Sequence, residues 1–538
     1  MAFTTLLLFI LIIQVIHFLG TWKLYIKAGR KAWEALIPVY NAIVLMKIIN
    51  RSPWLTILLF VPIVNLIMFP VIWVETLRSF GKNSNIDTFL GIITGGLYIY
   101  YINYTQDVTY IKERSLKPRT AVGEWTSSIL FAIIAATIVH TYVMQPFTIP
   151  TSSLEKTLLV GDFLFVSKFH YGARAPMTAV SFPMVHDTVP VLRKKSYTAK
   201  PQLPYFRIPG FQDIKRNDIV VFNWPIDTVN AFQQYSDGKY HYKPIDKKSN
   251  YVKRCVGIPG DSLEVRDGFV YINGKQNELP DRARLQFSYK INTKIAFVKT
   301  GNDGKYTNIP TDFIANQVDV SDIYLINIDR TNKVFTHIAH LTEKEFQKIK
   351  NNPQVVSIEK NSNVKGNWDR RVFPHDSRQP WNSKFFGPIY IPQQGVTIDI
   401  NIENISLYKR IIEVYEGSEL GINYTITLSG TEVLLNGTLL TEYTFLQDYY
   451  WMMGDNRDNS EDARMWGYVP FNHVVGKPVF VWMSLDSNAK GFDKIRTERL
   501  FTTVGGDGEP VSYFKYFIIV LVGWFVFDFF RKKKKKKA

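Results

Sequence analysis

Long apolar runs at the two ends of the chain constrain its fold more than any other feature. Four of them precede residue 144: Phe3 to Leu19, Trp54 to Val74, Thr88 to Tyr104 and Trp125 to Val143. Each is near the length that carries an α-helix across the hydrocarbon layer of a bilayer. A fifth run, Phe514 to Phe530, lies close to the C-terminus. The runs predict a polytopic membrane region of about three spans over 1–122, another span within 123–146 and a C-terminal span within 513–538.

The first apolar run is predicted to be a retained span rather than a cleaved secretory signal. No Lys or Arg precedes it, and no small-x-small cleavage site follows it before Trp22. A secretory signal carries both features. We therefore count this run among the membrane spans.

Cations beside the runs predict the orientation of the spans, because loops rich in Lys and Arg stay in the cytoplasm. Such cations lie between the first and second runs and between the third and fourth: Lys23, Lys27, Arg30, Lys31, Lys47 and Arg51, then Lys112, Arg114, Lys117 and Arg119. Residues 144–512 are then extracytoplasmic, and the tail of Arg531 and Lys532 to Lys537 is cytoplasmic. This topology accounts for much of the net charge of +17, so we expect no nucleic-acid partner.

Between Pro146 and Pro510 short β-branched and aromatic runs alternate with turn signals, which predicts a mainly β domain. Hairpin turns are predicted at Asp267-Gly268, Asn273-Gly274 and Asn436-Gly437. Residues 277–448 are more polar and look inserted, with one helix over Thr342 to Lys350. We therefore predict a catalytic domain in two parts, 147–276 and 449–512, around an inserted β-rich subdomain. Cys255 is the only cysteine, which excludes an intrachain disulfide and a Cys-based metal site.

Ser153 is the candidate nucleophile, because it follows a proline in an extended segment directly after a predicted span. A serine hydroxyl needs a neighbouring base to become a good nucleophile. No histidine lies in a recognisable triad setting. Lysine can serve instead when burial lowers its pKa. Lys253, in a strand-like run that ends at the turn Pro259-Gly260-Asp261, is the candidate base.

Four segments in this order after a membrane span resemble the conserved boxes of type I signal peptidases, the leader peptidases of bacteria. They are Ile149 to Leu154, Asp218 to Phe222, Tyr251 to Asp261 and Gly454 to Gly467. The resemblance covers residues 124 to about 265 and 449 to 485. It implies the antiparallel β fold of signal peptidases and an inner-membrane serine endopeptidase that cuts N-terminal signal peptides from exported preproteins. Neither a metal nor a cofactor is implied.

The resemblance also implies a role for each matching residue. Ser153 attacks the scissile carbonyl and neutral Lys253 takes its proton. The Ser153 amide and the Thr151 hydroxyl are the oxyanion donors, and Ser460 orients the lysine amine. Asp462, Arg464 and Arg254 form a supporting salt-bridge cluster. Apolar walls that accept small side chains ahead of the cut, as in Ala-x-Ala endings, are formed by Phe147, Ile149, Pro150, Leu154, Leu158, Tyr251 and Val252.

One departure from the family pattern lies directly after the nucleophile. The family usually has Ser-Met-x-Pro, whereas this chain has Ser153-Leu154-Glu155-Lys156. The partners implied are the signal peptides of preproteins and membrane lipid.

Two other functions are compatible with parts of the sequence. Ser153-x-x-Lys156 and Lys299-Thr300-Gly301 match motifs of penicillin-binding proteins, although no Ser-x-Asn element lies between them. The extra N-terminal spans also fit a non-catalytic membrane scaffold that only binds exported chains. Lys156 as the base would indicate the penicillin-binding type, and Lys253 the signal-peptidase type.

Overall fold

The computed structural model describes residues 3–118, 120–230, 238–300, 306–308, 323–486, 489 and 491–537. The chain forms two compact units. The first contains Met1–Met144, Ala173–Pro209 and Thr228–Lys248, and the second contains Gln145–Gly172, Gly210–Asp227 and Ser249–Ala538. The domain boundaries expected from the sequence stay predictions. Two stretches expected in the first part of the catalytic domain belong to the first unit.

The N-terminal part of the first unit is helical. Its helices are α1 Phe3–Lys27, α2 Tyr40–Ile48, α3 Val64–Ser79, α4 Asn85–Ile93, α5 Tyr98–Thr105 and α6 Ala121–Ile138, the last continued by a π-helical turn over Val139–Val143. Among the described residues, two helical stretches are long and apolar enough to cross a membrane, Leu7–Lys27 and Ala121–Val143. Arg119, one of the cations used to predict the topology, lies outside the described residues.

The prediction that the second and third apolar runs each form one membrane-spanning helix is wrong, because each run is divided into two shorter helices. The run from Trp54 is divided into a 3-10 helix, Pro53–Leu59, and α3, which begins after Ile63 takes a φ of 70°. Gly95 and Gly96, with φ of 60° and 85°, separate α4 from α5. At about 1.5 Å of rise per residue, neither α4 nor α5 reaches across a hydrocarbon layer of about 30 Å. An apolar run therefore overstates the length of a helix when it contains residues that turn the chain.

The second unit is built from short strands. In chain order the strands are β1 Met144–Thr148, β2 Asp162–Ser167, β3 Ile219–Asn223, β4 Asn250–Gly257, β5 Ser262–Arg266, β6 Phe269–Ile272, β7 Lys275–Gln276, β8 Phe287–Thr293, β9 Val298–Thr300, β10 Tyr306–Asn308, β11 Ile323–Asp329, β12 Val334–Leu341, β13 Val355–Lys360, β14 Phe386–Tyr390, β15 Thr397–Asp399, β16 Ile426–Ser429, β17 Glu432–Leu435, β18 Thr438–Leu439, β19 Glu442–Thr444, β20 Tyr449–Met453, β21 Val469–Pro470, β22 Val474–Ser484 and β23 Thr502–Thr503. The helices are α7 Glu343–Lys350, α8 Ile405–Arg410, α9 Ala463–Trp466 and α10 Phe514–Lys537.

The main sheet has the order β1-β2-β22-β3-β4-β20-β21, with β23 added beside β22. Strands β3, β4 and β20 pair antiparallel. A second sheet, β14-β5-β6-β7, shares one hydrophobic core with it, in which Leu263, Phe386 and Trp451 are buried. The predicted mainly β architecture is confirmed. Part of the predicted insertion, β14, thus belongs to the same core as the strands around it.

A separate sheet, β11-β12-β8-β13, packs against α7, and these five elements together are called the satellite sheet here. Its own core contains Tyr289, Ile291, Leu341 and Ile349. The predicted helix is confirmed, because Thr342 caps α7. The three predicted hairpin turns are also confirmed, between β5 and β6, β6 and β7, and β17 and β18.

Candidate active site

Ser153 lies in a tight turn directly after β1. A 3-10 helix over Ser152–Leu154 is followed by bonds from the Glu155 amide to the Ser152 carbonyl and from the Leu158 amide to the Leu154 carbonyl, at 3.0 and 2.8 Å. Residues 151–158 are called the nucleophile turn below. Leu154 and Leu158 are buried, so the turn is anchored in the core on both sides of Lys156.

Lys253 lies in β4, in the middle of the main sheet, where it pairs with Val220 of β3. Its Nζ is 2.6 Å from Ser153 Oγ. Ser153 is 7% exposed and Lys253 is 3% exposed. The two atoms are therefore within hydrogen-bond distance in a site with little access for water.

Burial lowers the pKa of Lys253 to about 8, because water no longer stabilises the ammonium form. The carboxylates of Asp462, Glu461 and Asp455 act in the opposite direction and raise the pKa. The uncharged amine is therefore the minor form at neutral pH and the main form above about pH 8. In that form the Ser153 hydroxyl donates its hydrogen bond to the lone pair of Nζ, as proton transfer to a base requires.

The loop from Gly454 to Ser460 holds the nucleophile turn from the other side. The Asn456 amide donates to the Ser153 carbonyl at 3.1 Å, and its side chain donates to the Ser152 carbonyl at 3.2 Å. Asn459 donates to Ser152 Oγ at 3.0 Å. Any side chain at Gly454 is excluded, because a Cβ there would lie 2.2 Å from Ser460 Oγ and 2.5 Å from the Ser153 carbonyl oxygen.

Two predicted roles stay predictions: that Ser460 orients the lysine amine and that the Thr151 hydroxyl donates to the oxyanion. Ser460 Oγ is buried, and within the described part of the chain no hydrogen-bond partner reaches it. It therefore makes no hydrogen bond to Lys253 in this structure. Thr151 is exposed, in extended backbone with φ −132° and ψ 154°, two residues before Ser153.

The predicted three-residue salt-bridge cluster is instead two separate ion pairs. Asp462 and Arg464, both fully buried, are joined by bonds of 2.9 and 2.8 Å. Arg254 pairs with Asp455 through bonds of 2.7 and 2.6 Å. Strand geometry explains this difference. Arg254 and Lys253 are neighbours in β4 and point to opposite faces of the strand. Asp462 acts on the Lys253 amine, whereas Arg254 points to the other face and meets Asp455.

Asp455 is a residue of this site to which the sequence analysis assigned no role. It also accepts a bond of 2.6 Å from Thr157 Oγ1, so it connects the strand that carries Lys253 to the nucleophile turn. Burial raises its pKa, but the adjacent Arg254 guanidinium outweighs that effect and the pKa is lowered. The sequence feature that could have pointed to Asp455 is its place in the segment Gly454 to Gly467. The sequence does not say which arginine pairs with which acid.

Most of the predicted pocket walls come together. Ile149, Leu154 and Leu158 are buried in one cluster with Val252 packed against it, and Phe147 contacts a neighbouring cluster that Val252 also touches. Pro150 is exposed. Tyr251 packs against Trp224, with ring centroids 5.1 Å apart, and its ring centroid lies 5.4 Å from Lys253 Nζ.

Two residues from beyond the last motif, Val481 and Val504, also belong to the cluster of Leu154 and Leu158. Arg499, from the same C-terminal segment as Val504, pairs with buried Asp162 at Oδ1 over 2.9 Å. The apolar cluster under the nucleophile turn thus includes a residue from the stretch of chain that precedes α10.

The residues of the penicillin-binding alternative are arranged differently. Lys156 Nζ forms an ion pair with Glu345 of α7 at 3.1 Å. Gly301, of the Lys-Thr-Gly motif, lies outside the described residues. Among the described residues, no group of three or more His, Cys, Asp or Glu side chains is placed to hold a metal ion.

Comparison with known proteins agrees with this geometry. A family model described as "Signal peptidase, peptidase S26" matches residues 122–332 and 400–483, more than half of the chain. The chain belongs to the signal peptidase family. Residues 33–113 match a second family, described as a family of unknown function (DUF5684).

Curated signal peptidases are similar over much of the chain. Signal peptidase I of Buchnera aphidicola subsp. Schizaphis graminum is 24% identical over 67% of this chain and 74% of its own length. That of Haemophilus influenzae is 23% identical over 73% of this chain and 79% of its own length. That of Rickettsia massiliae is 30% identical over 30% of this chain and 46% of its own length. The resemblance to type I signal peptidases is confirmed, and this member of the signal peptidase family is a serine endopeptidase with signal peptidase function.

Proposed function

We propose that Ser153 and Lys253 are the catalytic dyad with which this signal peptidase removes N-terminal signal peptides from exported preproteins at small-x-small sites. The observation that carries the proposal is the distance of 2.6 Å between Ser153 Oγ and Lys253 Nζ. Both residues are buried, so the amine is stripped of most of its water. A buried amine beside a hydroxyl is the arrangement that activates a serine nucleophile.

In the proposed reaction the neutral Lys253 amine takes the proton of Ser153 as Oγ attacks the scissile carbonyl. The protonated Lys253 gives this proton to the amine of the mature protein, which leaves as the C–N bond breaks, and an ester joins Ser153 to the signal peptide. Lys253, neutral again, takes a proton from the water that attacks the ester and returns it to Ser153 Oγ as the signal peptide is released. The Ser153 amide and the Thr151 hydroxyl are the proposed donors to the oxyanion.

We propose that the apolar cluster beside Ser153 sets the preference for small residues. Its apolar members Ile149, Leu154 and Leu158 are 3%, 0% and 1% exposed. Such a packed wall leaves no room for bulky side chains, and selection by exclusion of volume follows. We propose that Ser460 and the pairs Asp462–Arg464 and Arg254–Asp455 keep the dyad in register.

We propose that the chain crosses the bacterial inner membrane several times and places its catalytic unit on the extracytoplasmic side. Arg51 and Arg114, from the two cation-rich loops, both pair with Glu75, at 3.3 and 2.5 Å. Asn50 and Lys112 are joined by a bond of 2.7 Å. The contacts support a single side for both loops, the cytoplasmic side by their charge.

We propose that α10 is the C-terminal span, with its lysine-rich end in the cytoplasm. Four consecutive residues, Ile519, Val520, Leu521 and Val522, are all exposed and together cover a whole helical turn. A helix that exposes apolar side chains all round is typical of one surrounded by lipid. Contact with lipid and with a signal helix in the same bilayer follows from this arrangement.

Cleavage of a preprotein with an Ala-x-Ala site is expected to become faster with rising pH and to level off above about pH 8. The ammonium form of Lys253 cannot accept a proton, so the rate falls as pH drops below its pKa of about 8. The protein in detergent is mixed with the preprotein, and the product mass and kcat/KM are measured from pH 6 to pH 10. A flat profile contradicts lysine as the base, and a preprotein that stays uncut at every pH supports the scaffold alternative.

Accessibility of introduced cysteines is expected to follow the proposed topology. Cys255 is buried, so it does not react with a membrane-impermeant maleimide in the folded protein. In intact spheroplasts we expect labelling of Asn361→Cys, and labelling of Lys112→Cys and Lys533→Cys only after the membrane is disrupted. All three positions are exposed. Labelling of Lys112→Cys in intact cells would contradict the orientation.

A further inference from the structure

Lys156 lies where the family pattern Ser-Met-x-Pro has its proline. The backbone conformation of Lys156 explains why a proline is absent here. Its φ is +68°, whereas the proline ring fixes φ near −65°. A residue other than glycine takes this left-handed conformation only when its surroundings hold it there. The nucleophile turn of this chain therefore needs a support that a proline cannot provide.

The ion pair between Lys156 and Glu345 is that support. Nζ lies 3.1 Å from Glu345 Oε1, and the two side chains are only 13% and 12% exposed. The other oxygen, Oε2, accepts bonds from the Thr342 amide and hydroxyl, both at 2.9 Å. Both carboxylate oxygens of Glu345 thus have partners. The bonds from Thr342 hold the carboxylate at the start of α7, and its other oxygen is left to pair with Lys156.

The satellite sheet is also bonded to the loop that holds Ser153. The Gln286 amide donates to the Asp455 carbonyl at 3.0 Å, and the Arg457 amide donates to the Gln286 carbonyl at 2.9 Å. The Ser288 amide donates to Asp458 at 2.8 Å. Glu345 therefore belongs to an element that is itself attached to the Gly454–Ser460 loop, and the pair with Lys156 closes this connection on the nucleophile turn.

We propose that Lys156 and Glu345 are positioning residues that hold Ser153 within reach of Lys253, which makes the satellite sheet part of the catalytic apparatus. The inference rests on the proposed dyad. A displaced turn changes the distance between Oγ and Nζ and the line of attack, which lowers kcat more than it weakens substrate binding. Lys156 then acts through its ion pair and not as a base.

Variants that separate the ion pair from the backbone test this proposal. Lys156→Gly keeps the left-handed conformation without strain and removes the ammonium. Glu345→Gln removes the charge and keeps a side chain that can still bond at the start of α7. Each is expected to lower kcat by about tenfold with KM changed by less than about twofold, and the double variant to lose no more than either single one. The pH at half-maximal rate is expected to stay at its wild-type value, because Lys253 remains the base.

A conservative variant and a neighbouring control decide the outcome. Lys156→Arg keeps the cation beside Glu345 and is expected to keep kcat within about threefold of wild type. Glu343→Gln, exposed on the same helix, is expected to leave kcat unchanged. Wild-type kcat in Lys156→Gly and Glu345→Gln would overturn the proposal, as would an equal loss in Glu343→Gln. Ser153→Ala tells the two hypotheses apart, since it stays inactive if only the positioning proposal is wrong and cleaves if the dyad itself is wrong.

Discussion

Ser153→Ala and Lys253→Met are each expected to lower kcat/KM for signal-peptide cleavage by about 10⁴-fold or more, the scale seen when one member of a serine catalytic unit is removed. Alanine has no oxygen to attack the carbonyl. Methionine fills the volume of the lysine stem without a nitrogen to accept the proton. Because Lys253 is 3% exposed and its amine faces Ser153 at 2.6 Å, water is poorly placed to replace it. Product mass and steady-state kinetics with a preprotein measure the effect.

The chain contains its own control for this experiment. In the first unit, Lys247 Nζ lies 2.6 Å from Ser181 Oγ, and the two residues are 6% and 5% exposed. This second buried Ser–Lys contact has the same local chemistry and does not match any signal-peptidase motif. Ser181→Ala is expected to keep wild-type kcat/KM. Loss of cleavage in Ser181→Ala with full activity in Ser153→Ala would refute the proposed dyad.

A second result separates Lys253 from Lys156. If the serine used the nearer lysine in sequence, Lys156→Met would abolish cleavage and Lys253→Met would not. The ion pair of Lys156 with Glu345 leads us to expect the reverse, with a moderate loss in Lys156→Met. Acylation of Ser153 by a radiolabelled penicillin, lost in Lys156→Met, would indicate the penicillin-binding mechanism.

Asp455→Asn is expected to lower the free energy of unfolding by about 3 to 5 kcal/mol, the usual effect of removing one partner of a buried ion pair. Arg254 is 2% exposed and Asp455 is 0% exposed, so the guanidinium stays buried with its charge no longer balanced. Thr157 loses its acceptor at the same time, which loosens the nucleophile turn, and we expect kcat to fall as well. Urea unfolding in detergent micelles, followed by tryptophan fluorescence, measures the change.

An exposed pair of the same chemistry is the control for Asp455. Arg371 donates to both oxygens of Asp369, at 3.0 and 2.8 Å, but its side chain is 80% exposed. Water screens such a pair, so Asp369→Asn is expected to change the free energy of unfolding by less than about 1 kcal/mol. Equal effects of the two substitutions would show that burial of the Arg254–Asp455 pair contributes nothing.

The pair also predicts how stability depends on pH. The pKa of Asp455 is lowered in the folded protein, since Arg254 outweighs the effect of burial. Its contribution is therefore present above the unfolded pKa of about 3.9 and is lost as pH falls through the lower folded value. Unfolding titrations at decreasing pH are expected to show this loss in the wild type and not in Asp455→Asn.

Local motifs were enough to predict that Ser153 and Lys253 meet, because each lies in a distinctive segment. They were not enough to assign the ion pairs. Strand alternation turns Arg254 away from Lys253 and towards Asp455, a contact between residues about two hundred positions apart that spacing alone does not encode. The left-handed φ of Lys156 could not be predicted from the sequence either, since the residue that pairs with it, Glu345, comes from α7. Hydropathy located the apolar runs but not the Gly95-Gly96 break, because it measures composition and not chain direction.

The place of Val504 and Arg499 in the wall beside the serine has a practical consequence for crystallography and inhibitor screening. A soluble fragment that stops where the resemblance to the family ends, near residue 485, would lack Val504 against Leu154 and Leu158 and would leave Asp162 without Arg499. Such a fragment would present an altered specificity cleft to any inhibitor tested on it. A fragment that ends between Pro510 and Phe514 lacks the apolar helix α10 and keeps the contacts of Val504 and Arg499.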